Sequence, residues 1–147
     1  MTIYGIGVDR VLVPRIESAA VRWGERFARR VLGPGELRVY LQHTQRHPRL
    51  GVAYLARRFA AKEAFAKAMG IGLRAPMLMP NLDVLNDHCG RPQVIAHGDL
   101  NRWLQARNLQ AHISLSDESD AALAFVLLSR KDPADSSAAV HTDAPLP

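Results

Sequence analysis

Two carboxylates and a lysine carry the chemistry most worth pursuing in this chain. Asp9 closes the apolar run Ile3-Tyr4-Gly5-Ile6-Gly7-Val8, at the end of a strand from which a carboxylate can project into a cleft. Glu63 lies in the alanine-rich stretch Phe59-Ala60-Ala61-Lys62-Glu63-Ala64-Phe65-Ala66-Lys67-Ala68, with Lys67 one helical turn further on. Two carboxylates from separate elements suit a hard cation such as Mg²⁺, which keeps several waters and takes substrate phosphates as its other ligands. The plainer alternatives are turn capping by Asp9 and a solvated Glu63–Lys67 pair, the latter worth only about 0.2–0.5 kcal/mol. At about 100° per residue, Val52, Leu55, Ala56, Phe59, Ala60 and Ala66 form one apolar stripe, with Glu63 near its middle and Lys67 at its edge. A carboxylate turned inward is costly without a partner, so a metal ion or a cationic group is expected beside Glu63.

Other patterns exclude chemistry. Gly5-x-Gly7 lacks the third glycine of a dinucleotide-binding loop and lies inside the strand. His43 and His47 form a pair without a third ligand, and no Cys/His spacing matches a zinc site.

The elements that must position these residues follow from periodicity and punctuation. Thr2 to Val8 reads as a first strand, and Pro14 suits the first turn of a helix that Gly24 interrupts. A second helical piece runs to about Leu32 and breaks at Gly33-Pro34-Gly35. Glu36 to Gln42 reads as a short helix and Thr44 to Arg49 as a loop. Pro48 opens the strongest helix, which ends at Met69 with Gly70 as its C-terminal cap. Short strands around Leu82 to Leu85 and Gln93 to Ala96 flank the turn Asp87-His88-Cys89-Gly90. A helix follows from Asp99 to Asn108, with Asp99 as its expected N-cap. The alternating segment His112 to Ser116 reads as a half-buried strand, and the apolar run Ala121 to Leu128 as a central one. This mixed order favours an α+β fold with helices against a small antiparallel sheet. Residues 1–131 are expected to form one domain. The Ala/Ser/Asp/Pro-rich residues 132–147 have little to bury and are expected to form a disordered tail.

With 147 residues, 48% of them hydrophobic, the chain fits one globular domain. No stretch is long and apolar enough to span a membrane. The lone Cys89 and an N-terminus without a signal-peptide layout predict a reducing cytoplasm. The net charge of +5 is concentrated in Arg10, Arg15, Arg22, Arg26, Arg29 and Arg30, against Glu17 and Glu25. Such a segment is either a solvated face or a steering surface for an anionic partner. Nucleic acid is disfavoured, because interleaved aromatics and zinc-finger or RNA-binding signatures are lacking.

Gly5-Ile6-Gly7-Val8-Asp9 resembles the opening motif of holo-(acyl-carrier-protein) synthases, the small single-unit branch of the 4'-phosphopantetheinyl transferases. The Phe59 to Ala68 stretch is similar to their central signature, nearly residue for residue. Asn86-Asp87-His88-Cys89-Gly90-Arg91-Pro92 resembles their Gly-x-Pro turn, and His112-Ile113-Ser114-Leu115-Ser116-Asp117 their last strand motif. The motifs fall in the family's order over roughly Ile3 to Ser129. Arg10 after Asp9, Pro14 in the first helix, and Asp117 in place of a frequent second histidine depart from the pattern.

The resemblance implies transfer of phosphopantetheine from coenzyme A to a serine of apo acyl carrier protein, with release of 3',5'-ADP, in fatty acid biosynthesis. It implies that Asp9 and Glu63 hold Mg²⁺ and that Lys67 neutralises charge on the transferring phosphoryl group. Either Glu63, through water, or Lys67 would accept the serine proton. Arg58, Pro92, His112, Ser114 and Ser116 would contact the coenzyme, and Gly70 and Gly72 would let the chain turn beside it. Arg15 and Arg22 would meet the carrier's acidic helix. One set of motifs implies a homo-oligomer, a trimer with sites between subunits. Arg58 and Glu63, five residues apart, point about 140° away from each other on one helix. Arg58 is therefore expected to reach a neighbouring subunit's site, with Phe65 in the subunit contact. A catalytically silent coenzyme- or carrier-binding homologue is the alternative reading.

Overall fold

The computed structural model describes residues 1–133, so the expected tail lies outside the described residues from Ala134 onward. Strand β1 (Thr2–Leu12) leads into helices α1 (Val13–Trp23), α2 (Glu25–Val31), α3 (Pro34–Arg46) and α4 (Pro48–Met69). A single 3₁₀ turn (Met79–Asn81) precedes β2 (Leu82–Asn86) and β3 (Pro92–Ala96). Helix α5 (Gly98–Ala106) and the long hairpin β4 (Leu109–Glu118) and β5 (Ala121–Arg130) complete the order. The architecture is α+β. A three-stranded antiparallel sheet in the order β1-β5-β4 carries α4, and β2-β3 form a separate antiparallel pair.

The apolar β5 takes the centre of its sheet, as its composition predicts. Its Ala122, Ala124, Val126 and Leu128 face the core beneath α4. The opposite face has no cover among the described residues: Ile6 and Val8 of β1 are 61% and 51% exposed, and Leu123 and Phe125 of β5 are 44% and 39% exposed. Register sets Val8 beside Phe125 and Ile6 beside Leu127 on that face.

Contact between β1 and α4 is made by glycine. A β-carbon on Gly5 or Gly7 would overlap the carbonyl oxygen of Ala68 or Ala64. The two glycines let helix backbone rest almost directly on strand backbone, the reason a strand can hold glycine at all.

Several expectations are corrected. The segment from Thr44 to Arg49 is not a loop: α3 runs to Arg46, and only His47 separates it from α4. Thr44 bonds back to the Tyr40 carbonyl, and Gly51 leaves room for Thr44 where the two helices meet. The N-cap of α5 is His97, while Asp99 sits in its first turn beside Arg102. The wheel of α4 is also reassigned. Its buried residues include Tyr54, Leu55, Arg58, Ala61, Lys62, Phe65 and Met69 as well as Ala60, Ala64 and Ala68. Val52, Phe59 and Glu63 are only half-buried and Lys67 is exposed, so this strip is the least covered side of the helix. The sheet covers one flank and α3 with β2 covers another, which hides the periodicity that one buried face would show. Phe65 is fully buried in the chain's own core and is not available for a subunit contact.

Candidate active site

Asp9 points to the helix side of the sheet, because Gly5, Gly7, Asp9 and Val11 alternate with the outward Ile6, Val8 and Arg10. The glycine contact brings this end of β1 against the half-open strip of α4. There Lys67 Nζ donates to the Val8 carbonyl at 2.8 Å and meets Asp9 Oδ1 at 3.2 Å. Glu63 lies one turn before Lys67. Burial first, and the Asp9 carboxylate second, push the Glu63 carboxyl above its ordinary value, while Lys67 and Arg15 pull it back. Two acids, one lysine and the first arginine of α1 thus share one electrostatic neighbourhood. Phe59, a turn earlier on the same strip, lies 6.4 Å (centroid to centroid) from Phe27 of α2. That contact joins the site to the basic surface of α1 and α2, where Arg15 and Arg22 are exposed. Trp23, Arg26, Phe27 and Arg30 line a notch of about 340 Å³ on that surface.

Gly70 caps α4 at φ 79° and Gly72 follows at φ 72°, both in the left-handed region that favours glycine. Pro92 opens β3.

Arg58 stands apart from this cluster. It is 2% exposed, its Nε donates to the Val84 carbonyl at 3.0 Å, and its Nη2 donates to Asn86 Oδ1 at 3.3 Å. Its guanidinium covers the Tyr54 ring at 4.3 Å. Together with Arg38, His43, Tyr54, Arg57 and Asn86 it lines a groove of about 620 Å³ between α3, α4 and β2. Tyr54, 3% exposed, has a hydroxyl without a hydrogen-bond partner among the described residues. Asp117 pairs with Arg57 at 3.1 Å.

His112, Ser114 and Ser116 register with Leu127, Phe125 and Leu123, and therefore belong to the uncovered sheet face. Asp9 registers with Ala124 on the other face. Within one chain the sheet itself separates these three residues from Asp9, Glu63 and Lys67.

Sequence reasoning missed a buried network. Lys62 and Glu36 are both fully buried and ion-paired at 2.6 Å. Asp83 accepts from the Gly35 and Glu36 amides and from His97. The spacing of Gly33 and Glu36, a capping-box interval, was the available signal: Glu36 Oε1 accepts from the Gly33 amide at 2.9 Å. The ligand atoms of Asp87, His88 and Cys89 also come within 4.8 Å of one another, but His88 and Cys89 are exposed, and the Asp87 carboxylate serves its own turn.

An α+β frame that sets two acids and a lysine beside a basic surface defines a class of protein equipped to handle phosphate groups. The chain belongs to the 4'-phosphopantetheinyl transferase superfamily, whose family model matches residues 5–126. It is 47% identical over 135 residues to the holo-[acyl-carrier-protein] synthase of Paraburkholderia phymatum, covering 92% of this chain and 100% of that one. The fold superposes on the holo-[acyl-carrier-protein] synthase of Neisseria meningitidis with a TM-score of 0.79 at 41% identity, over 88% of this chain and 100% of the other. A Bacillus anthracis holo-(acyl-carrier-protein) synthase solved in complex with CoA (3',5'-ADP) aligns with a TM-score of 0.72 at 28% identity, over 89% and 100% of the two chains.

Proposed function

We propose that this protein transfers the 4'-phosphopantetheine arm of coenzyme A to a serine of apo acyl carrier protein, releasing 3',5'-ADP. The observation that carries the reading is the convergence of Asp9, Glu63 and Lys67 across the glycine contact of β1 and α4.

The donor set fits Mg²⁺. It offers carboxylate oxygens from two elements; burial first and the Asp9 carboxylate second raise the Glu63 carboxyl, and a bound cation would offset both. Asp9 and Glu63 would hold the ion, which supplies charge neutralisation to a pyrophosphate. Lys67 stands ready to donate to the non-bridging oxygens of the transferring phosphoryl group. The carrier serine Oγ forms a new bond to the β-phosphorus, and the phosphoanhydride bond to 3',5'-ADP breaks. Glu63, through a water, and Lys67 are the two groups placed to accept the serine proton.

The rest of the coenzyme is read as lying across a subunit boundary. His112, Ser114 and Ser116 share the uncovered apolar sheet face, so they reach coenzyme only on a neighbouring copy seated against that face. The arginine-lined groove of Arg38, Arg57 and Arg58, with its unsatisfied Tyr54 hydroxyl, supports an anionic occupant such as the coenzyme 3'-phosphate. A homotrimer with shared sites accommodates both features. Arg15 and Arg22 receive the acidic carrier. An exposed free Cys89 supports a reducing cytoplasm, and no helix among the described residues is long and apolar enough to cross a membrane. The pathway served is fatty acid biosynthesis.

Incubation with apo carrier protein, coenzyme A and Mg²⁺ tests the reading by intact mass. Addition of one phosphopantetheine to the carrier is expected; binding of both substrates without a mass increase would mark a silent homologue.

A further inference from the structure

The sheet-facing side of α4 is made of Ala60, Ala64 and Ala68, and the strand beneath contributes Gly5 and Gly7. This close contact sets how near α4 lies to β1, and the buried Leu55, Phe65 and Met69 add apolar packing around it, which resists turning without directional bonds. Rotation by one residue would swing Glu63 about 100° out of the site. A directional, polar contact adds to this packing in fixing the phase of α4.

On another side of the helix, Lys62 reaches into a cage built from four separate segments. Its three N–H groups are shared among four acceptors around Nζ: the Val31 carbonyl at 3.0 Å, Glu36 Oε1 at 2.6 Å, the Met79 carbonyl at 2.9 Å, and the Leu82 carbonyl. These acceptors come from the end of α2, from α3, from the 3₁₀ turn and from β2. Glu36 is held in turn, accepting from the Gly33 and Val84 amides at 2.9 Å each. Both charged groups are fully buried, and although Arg58 Nε also lies 3.9 Å from Glu36 Oε2, removing Lys62 from the pair is expensive. An apolar pair would tolerate sliding; a caged ammonium does not.

We propose that Lys62, through its ion pair with Glu36, is a positioning residue that locks the rotation and axial setting of α4 and thereby holds Glu63 against Asp9. The Lys62 side chain is fully buried, closed off from any ligand in solvent. It acts through the residue next to it in the chain. The inference rests on the reading of Glu63 as a metal-holding carboxylate.

The test measures metal binding directly, using Mn²⁺ as the probe, in the presence of coenzyme A, by electron paramagnetic resonance on the intact chain. The variants are Lys62→Met and, to avoid stranding a buried carboxylate, Lys62→Met combined with Glu36→Gln. Loss of a supporting partner of this kind should weaken Mn²⁺ binding about 10–100-fold in protein that still unfolds cooperatively. The turnover number should fall with it, while KM for carrier protein stays as in the parent. A cavity control, Leu104→Ala in α5, should lower the melting temperature yet leave Mn²⁺ binding unchanged. Parental Mn²⁺ affinity in the folded double variant overturns the proposal, as does equal weakening by Leu104→Ala. A Glu63→Gln chain that binds Mn²⁺ like the parent would instead remove the metal reading on which the proposal stands.

Discussion

Gly7 lies directly beneath Ala64, so close that a β-carbon on Gly7 would overlap the Ala64 carbonyl oxygen. This approach sets Asp9, two residues along β1, opposite Glu63, one residue before Ala64. Gly7→Ala must push strand and helix apart. Overpacking of this kind costs about 1–3 kcal/mol, measurable by urea denaturation. Transferase activity should drop even where the variant is fully folded, because the two carboxylates separate. An active, undestabilised Gly7→Ala chain would show that the contact does not set the site.

Glu63→Gln should show opposite effects on stability and function. A carboxyl whose folded pKa is raised loses stability as pH climbs from its unfolded value through its folded one. At neutral pH without metal, the ionised Glu63 therefore weighs against the fold. The amide should raise the melting temperature in EDTA, while turnover collapses. Asp9→Asn should also abolish most turnover. Near-parental rates in both variants would remove the metal assignment.

The same raised carboxyl sets the acid limb of the pH profile. On the reading of Glu63 as a metal-holding carboxylate, kcat/KM at limiting Mg²⁺ should fall at a pH above the ordinary glutamate range near about 4.3. Saturating Mg²⁺ should move that limb to lower pH, since a cation favours the charged form.

Arg22→Glu and Arg26→Glu should raise KM for carrier protein far more than KM for coenzyme A, with association weakening as salt rises. Arg15 gives a mixed response, because its charge also acts on Glu63. Equal effects of Arg22→Glu on both substrates would count against this surface as the docking site.

Shared sites are open to complementation. Arg58→Ala is a poor partner for that experiment, since it removes a buried guanidinium from Val84, Asn86 and Tyr54. His112→Ala is better, because it lies on the uncovered face. Mixed with Glu63→Gln under conditions that exchange subunits, it should restore activity that neither chain has alone. Mixed oligomers without recovered activity would place both residues in one subunit's site.

The sequence by itself determined most of the elements and the spacing of the candidate site residues along them. Proline at the start of α4, Gly70 at its end and the alternation along β1 are local signals, and local backbone preference settles them. The Asp9 and Glu63 motifs were legible for the same reason, as fixed spacings on regular elements. What only the tertiary structure decided is which side of α4 faces solvent. Its alanines suit every side equally, and burial by a sheet on one flank and by α3 with β2 on another erased the periodicity. The Glu36–Lys62 pair was invisible too. Its members are 26 residues apart, and only the packing of α3 against α4 makes two ordinary surface residue types into a buried, mutually neutralising pair.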